Sequence, residues 1–341
     1  MKNKIKFAFL GFGRIANKHF NVLNSKKINN AEIVAICEKD KSKLNKFKIP
    51  KKIKIYQNLN KMIKNEKIDV VTILTESGNH FRHIKQISKF KKHIIVEKPI
   101  CMNSNQLSKV IKISKQNKIK IFAVMQNRYN LPIKILKETI DKKKFGKIVL
   151  ATVRVRWSRT QKYYNLDKWR GTWKYDGGAL NNQGIHHIDL LTWLVGEVES
   201  VFSKTATQLV KIEVEDTAVA VLKFKNKALG AIEITTATRP KDTEGSISIL
   251  GEKGMVEIGG FAANKILHWS FKGKNNDLIK SKFFQNPKNV YGFGHLEFYK
   301  KVISNLKFNT KAIMAIDAMN SLKTLDALYK SARLNKEVKV N

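Results

Sequence analysis

Three short stretches of the chain carry residue types and spacings that could do chemistry. The first is Gly11-Phe12-Gly13-Arg14-Ile15-Ala16, which fits the G-x-G-x-x-G/A pattern of a dinucleotide-binding turn. Its first glycine permits a tight turn, its second lets a pyrophosphate approach the backbone, and the small last residue lets helix and strand pack closely. A helix opening here would offer free N–H groups and its positive end to phosphates. Glu38 follows Ala16 by 22 residues, where a carboxylate would accept hydrogen bonds from a ribose diol and repel a 2′-phosphate. This favours NAD over NADP, although Lys39, Lys41 and Lys43 pull the other way.

The second stretch is Glu97-Lys98-Pro99, which closes an apolar strand. In a parallel sheet, ligands bind beyond the carboxyl ends of the strands, so Lys98 is placed to reach a cofactor or substrate. By the same logic Thr75 ends its strand beside a cofactor, and Asn79-His80 opens the next helix. The third stretch runs from Asp176 through Asn181-Asn182-Gln183-Gly184-Ile185-His186-His187 to Asp189. A helix beginning near Asn182 would put Asn182, His186, Asp189 and Trp193 on one face, with His187 turned away. Adjacent histidines diverge, so no metal site is expected from His186, His187 and Asp189.

The elements that must position these residues are legible. Apolar runs at 5–10, 31–37, 69–75, 92–96 and 119–124 alternate with helical patterns, among them one to Ser25, one following Asp40, one over 79–90 and one over 104–117. That alternation predicts a parallel, doubly wound α/β sheet. After about Gln126 the pattern changes. Residues 147–157 alternate, with Val149, Ala151, Val153, Val155 and Trp157 on one face and Arg154 and Arg156 on the other. Further strand-like runs at 198–209, 216–224, 228–236, 245–250 and 255–258 predict a largely antiparallel sheet. Helical patterns near 292–306 and 311–333 close the chain. The expected domains are 1–125 and 126–341.

Composition bounds the partners. Lys and Arg total 66 against 27 Asp and Glu, a net charge of +39 in 341 residues. Nine of the basic residues are Arg and 57 are Lys, and the lysines are scattered without a basic tail. No discrete basic stripe or recognition motif accompanies them, so a lysine-rich solvated surface is expected rather than specific nucleic-acid binding. Four of the nine arginines, Arg154, Arg156, Arg159 and Arg170, fall within 17 residues. Their planar forks suit carboxylate or phosphate, or else ion pairs within the protein. Apolar residues make up 43% of the chain, yet no run approaches the roughly 20 residues of a membrane helix. Lys2, Lys4 and Lys6 precede the short apolar run Phe7–Phe12, which reads as a strand rather than an export signal, and two cysteines cannot form a disulfide framework. A cytoplasmic protein is expected.

The GFGRIA turn, Glu38, Glu97-Lys98-Pro99 and the GGALNNQGIHHIDLL stretch from Gly177 together resemble the Gfo/Idh/MocA oxidoreductase family over nearly the whole chain. The resemblance implies an N-terminal Rossmann domain binding NAD and a C-terminal α+β domain on a large open sheet, assembled as a homodimer or homotetramer. It implies cofactor contacts from Gly11, Phe12, Gly13, Arg14, Ile15, Glu38, Thr75, Asn79, His80, Glu97, Lys98, Gln126, Trp169 and Arg170. It implies a catalytic site of Lys98, His186 and Asn182, although the family's usual acid at position 182 is here an asparagine, which cannot take a proton. Proton transfer then rests on His186, whose side-chain type titrates near pH 6.5.

Arg154-Val155-Arg156-Trp157, Tyr163-Tyr164, Trp169-Arg170-Gly171-Thr172 and Asn181–His187 further resemble the branch acting on nucleotide-linked sugar acids. That branch implies oxidation of the 3-hydroxyl of a UDP-N-acetylglucosaminuronate-like substrate in surface polysaccharide biosynthesis, with 2-oxoglutarate as a partner for cofactor recycling. Lys98, Arg156, Arg159, Asn182 and His186 would bind that substrate. A neutral sugar or inositol substrate and a non-catalytic NAD-binding sensor stay open.

Overall fold

The structure, a computed structural model, describes residues 4–272 and 294–341. Two compact units emerge. One comprises the described residues up to Val124 together with His295–Ala318; the other comprises those from Met125 to Gly294 together with Met319–Asn341. The chain therefore returns to its first unit late, for a helix and a turn that the sequence pattern did not attach there.

In the first unit the order is β1 (Ile5–Leu10), α1 (Arg14–Leu23), β2 (Ala31–Cys37), β3 (Lys54–Tyr56), α2 (Leu59–Asn65), β4 (Val70–Ile73), α3 (His80–Ser88), β5 (His93–Val96), α4 (Ser104–Asn117) and β6 (Ile121–Ala123). The strands lie in the order β3-β2-β1-β4-β5-β6, every pair parallel. This is the doubly wound α/β order, whose direction reverses between β1 and β4. All four residues of β4 are buried, as a strand covered on both faces requires. The helix expected after Asp40 is instead a 3₁₀ run, Lys41–Lys46, capped by the Asp40 carboxylate. The edge strand β3 was not anticipated, because three mostly exposed residues carry too little apolar signal.

In the second unit, α5 (Leu131–Asp141) leads into β7 (Ile148–Arg156), the single turn α6 (Gln161–Tyr164) and α7 (Ile185–Val195). Then come β8 (Val198–Ala206), β9 (Thr217–Phe224), β10 (Leu229–Thr235), β11 (Glu244–Gly251), β12 (Gly254–Gly259) and β13 (Lys265–Phe271). α8 (Gly294–Phe308) passes into the first unit, and its predicted start at 292 lies outside the described residues. α9 (Met319–Leu334) and β14 (Val338–Lys339) complete the second unit.

Its eight strands run β13-β12-β11-β7-β10-β9-β8-β14. All pairs are antiparallel except β7–β10. One sheet face packs on α7 and α9. Among the described residues the other is uncovered: β9 alternates buried Ala218, Ala220 and Leu222 with outward Val219 and Val221, the last 59% exposed. Val149, which the alternation put on one face with Ala151 and Val153, is 54% exposed. It lies where the β7–β11 register slips, at the strand's start.

Candidate active site

The glycine turn of the first unit divides its labour. Gly11 has φ +88°, and a Cβ there would stand 2.9 Å from Thr75 Cγ2 and 3.0 Å from the Leu74 carbonyl carbon and oxygen. Only glycine fits without strain. At Gly13, its own helix backbone and chain neighbours apart, no heavy atom of the described residues lies within 4 Å of where a Cβ would sit. Protein packing does not require glycine there, whereas a ligand lying against the backbone would. Gly13 also caps α1 without a side-chain bond, and the first turn holds no acid. The N–H groups of that turn therefore suit an anion, as a dinucleotide pyrophosphate requires.

Glu38 is buried; its Oε2 accepts from Phe12 N at 2.6 Å and its Oε1 from Asp40 N at 3.0 Å. Each oxygen keeps a further lone pair for a diol. The Phe12 ring is core, packed between Phe9, Phe20 and Phe47, so only its backbone faces the turn. Arg14 is exposed and Ile15 half-buried.

Thr75 follows β4, and its hydroxyl meets His83 Nδ1 at 3.0 Å, while Asn79 donates to Glu76 at 3.0 Å. His80, expected at the cofactor, is turned inward: its ring nitrogens lie 2.8 Å from the Pro99 carbonyl and 3.0 Å from the Thr75 carbonyl. It ties the two strand ends together. The Glu97 carboxylate is likewise buried, while Lys98 beside it is half-buried. Both cysteines are buried and free. Burial, then the Glu38 charge, pushes the Cys37 thiol up to about 11.

In the second unit the helix does not begin regularly at Asn182. Leu180–Gly184 form a π turn running directly into α7. Such a turn advances each residue by a smaller angle than the α-helix that the spacing predicted. The Asn182 amide donates to Asp176 Oδ1. The other Asp176 oxygen accepts from Gly171 N at 2.8 Å, and the Asp176 carbonyl accepts from Asn181 Nδ2 at 2.8 Å.

Gly184 lets the π turn approach β10, since a Cβ there would come within 2.5 Å of Ile234 Cδ1. His186 and His187 are both buried. Burial pushes His187 down to about 4, and its ring sits edge-on to Trp157. Asp189 belongs to a buried ion pair, accepting from Arg128 Nε at 2.8 Å and Nη2 at 2.6 Å.

Sequence reading missed Glu215. Its Oε1 accepts from Leu180 N and from Tyr329 Oη, both at 2.9 Å, so it holds the start of the π turn. Burial, opposed by those hydrogen bonds and reinforced by Asp176, raises its pKa to about 7. That exceeds the ordinary 4.5, so the folded protein holds the extra proton between the two values. The associated stability, about 3 kcal/mol, is complete below pH 4.5 and is lost as pH rises through about 7. Thermal unfolding from pH 5 to 8 should show the wild-type melting temperature declining relative to Glu215→Gln. Parallel curves would refute the assignment.

The four clustered arginines separate into two pairs. Arg154 and Arg156 project from β7 on the open sheet face. Arg154 pairs with Glu244 at 2.9 Å and Glu257 at 3.2 Å. Arg156 makes a fork to Glu233 at 2.5 and 3.0 Å, with Glu244 at 3.6 Å. The register explains this, because Glu244 lies opposite Arg156, and Glu233 opposite Arg154, on the strands flanking β7. Arg156 was expected to receive an anionic substrate; its fork is instead filled by carboxylates of its own sheet. Arg159 and Arg170 meet at Tyr163, their guanidinium carbons 5.4 and 4.5 Å from its ring centre. Arg159 pairs with Asp242 at 2.8 Å and Arg170 with Asp167 at 3.0 Å. Trp169 lies under Arg170 at 4.5 Å. Gln126 is buried in the 3₁₀ turn Gln126–Tyr129.

Residues 5–125 match the description "Oxidoreductase family, NAD-binding Rossmann fold", and residues 137–340 match "Oxidoreductase family, C-terminal alpha/beta domain". The chain belongs to the Gfo/Idh/MocA oxidoreductase family. Its first unit is that family's NAD-binding domain, and the space at Gly13 fits the cofactor. Among similar solved structures is the WlbA dehydrogenase from Chromobacterium violaceum in complex with NADH and UDP-GlcNAcA. It is 38% identical, with TM-score 0.92 and coverage of 99% of this chain and 96% of that one. The WlbA dehydrogenase from Bordetella pertussis, in complex with the same two molecules, is 34% identical, with TM-score 0.91 and 99% of each chain covered. A curated relative, myo-inositol 2-dehydrogenase from Thermotoga maritima, is 26% identical over 89% of this chain and 88% of its own. Among the described residues no helix is long and apolar enough to cross a membrane.

Proposed function

We propose that this protein is an NAD-dependent dehydrogenase that oxidises a secondary hydroxyl, the 3-hydroxyl, of a UDP-GlcNAcA-like nucleotide sugar acid. The observation that carries this reading is the full-length similarity to two WlbA dehydrogenases that hold that sugar nucleotide with NADH. Bound NAD supplies the hydride acceptor. The alcohol becomes a ketone as its carbon loses a hydride and its oxygen a proton. His186 takes that proton, Lys98 stabilises negative charge on the reacting oxygen, and Asn182, held by Asp176, orients the sugar. Arg159 and Arg170 with Tyr163 form the second basic cluster, in which Arg159 spends Nη1 on Asp242 and the Ser158 carbonyl and keeps Nε and Nη2 for an anionic substrate. We place the product in surface polysaccharide assembly, with 2-oxoglutarate as the partner for NADH recycling. The apolar open sheet face, with Val219, Val221 and Leu229 each at least 50% exposed, supports assembly as a homodimer or homotetramer.

Purified protein mixed with NAD, 2-oxoglutarate and UDP-GlcNAcA should yield a sugar nucleotide two hydrogens lighter by mass spectrometry. Failure to form it, with NAD shown to bind, would discard this substrate. The similarity to myo-inositol 2-dehydrogenase then favours inositols and neutral sugars, the second reading. Arg159→Ala should raise the KM for UDP-GlcNAcA about tenfold or more, the scale of one charge-assisted hydrogen bond. Arg156→Ala, whose fork is already filled, should change it less than about threefold. The reverse ranking would move the anion site to the open face.

A further inference from the structure

We propose that Tyr299, His19 and Glu97 form a buried hydrogen-bonded chain that positions Lys98, with His19 as its central positioning residue. The proposal rests on the reading of Lys98 as the charge-stabilising lysine. All four residues belong to the first unit, yet they come from α1, the end of β5 and α8. Tyr299 Oη lies 2.7 Å from His19 Nδ1, and His19 Nε2 lies 2.8 Å from Glu97 Oε1. The other carboxylate oxygen, Oε2, accepts the backbone N–H of Lys98 at 2.9 Å. Tyr299 and His19 are wholly buried and Glu97 is 5% exposed.

The polarity of this chain follows from its ends. Burial opposes ionisation of Glu97, but His19 and His295 outweigh it and hold the carboxyl well below its ordinary range. An ionised carboxylate only accepts, so His19 must carry its proton on Nε2. The tautomer with its proton on Nε2 leaves Nδ1 as acceptor for the tyrosine hydroxyl. One tautomer satisfies both contacts.

The consequence is mechanical. The Glu97 side chain grips the peptide N–H of the next residue and so fixes the Glu97–Lys98 peptide plane. That plane sets where the long lysine stem starts. His19 sits on α1, whose first turn offers its N–H groups to phosphate, so one imidazole links the cofactor-binding helix to the lysine turn. His80, bonded to the Pro99 carbonyl, holds the other side.

His295 packs edge-on to His19, with ring centres 5.1 Å apart, and its Nε2 is 3.8 Å from Glu97 Oε1. Burial pushes it down to about 4. The ligand atoms of His19, Glu97 and His295 lie within 4.8 Å of one another. The 2.8 Å His19–Glu97 separation, however, is that of a hydrogen bond. It is shorter than the roughly 3.3 Å between neighbouring ligands on tetrahedral zinc with bonds of about 2.0–2.1 Å.

The test is a set of variants assayed with NAD on whichever secondary alcohol the wild type oxidises. His19→Leu should lower kcat about 10- to 100-fold, leave the KM for NAD within about threefold, and shift the acid limb of the kcat–pH profile upward as Glu97 loses its donor. His19→Gln, which can still donate to Glu97, should recover most of the rate. Tyr299→Phe should cost less than His19→Leu.

The double variant His19→Leu/Lys98→Met should be no slower than Lys98→Met, because the chain acts through the lysine. A His19→Leu rate within twofold of wild type, beside a crippled Lys98→Met, overturns the positioning chain alone. Multiplicative losses in the double variant also overturn it. Near-normal turnover by Lys98→Met overturns the underlying lysine reading instead. Should His19→Leu fail to fold, the His19→Gln and Tyr299→Phe profiles, each with its Lys98→Met double, decide the same question.

Discussion

Lys98→Met should fold, bind NAD and turn over about 10²–10³-fold more slowly, the usual loss when one donor to a developing negative charge is removed. The lysine follows the end of β5, at the carboxyl edge of a parallel sheet where ligands bind. Its backbone is gripped by Glu97, and Pro99 by His80, so the turn survives loss of the ammonium. Methionine keeps most of the stem's length and packing but donates nothing. The melting temperature and the NAD dissociation constant should therefore stay near wild type while kcat falls. A variant retaining more than about a third of wild-type kcat would remove Lys98 from charge stabilisation. His186 would then stand alone as the proposed catalytic group.

Alanine at Gly11 and alanine at Gly13 should damage the protein in opposite ways. At Gly11 the backbone is left-handed, and the new methyl would meet Thr75 Cγ2 at 2.9 Å and the Leu74 carbonyl at 3.0 Å. The conformational cost is roughly 1–2 kcal/mol and overpacking adds about 1–3. Gly11→Ala should therefore lose about 2–5 kcal/mol of stability, read as a lower midpoint in urea. At Gly13 the same methyl meets nothing within 4 Å. Stability should change by less than about 1 kcal/mol, yet NAD affinity should fall at least tenfold, because the methyl stands where the pyrophosphate must approach. Calorimetric titration with NAD, paired with the unfolding curves, checks both. Unimpaired NAD binding by Gly13→Ala would place the cofactor elsewhere.

The sequence alone determined the parts of this protein that depend on short-range pattern. The glycine fingerprint lies between β1 and α1, and β1, β2, β4, β5 and β6 fall where buried apolar runs predicted them. The turns at Lys225–Lys227 and Gly251–Gly254 separate the strands they were expected to separate. These follow because a hydrophobic period and a turn residue act over a few neighbours.

What only the tertiary structure decided concerns partners distant along the chain. The spacing left Arg154 and Arg156 open between receiving an anion and pairing within the protein, until the β7 register set Glu233 and Glu244 beside them. The helix expected to begin near Asn182 is preceded by the π turn Leu180–Gly184, and Glu215 anchors the start of that turn from 35 residues away. His19, Glu97 and Tyr299 are separated by 78 and 202 positions. Only the return of α8 to the first unit brings the last of them to the lysine turn. Local sequence cannot encode such a contact, because a hydrogen bond between buried groups is specified by the packing that carries both ends into reach.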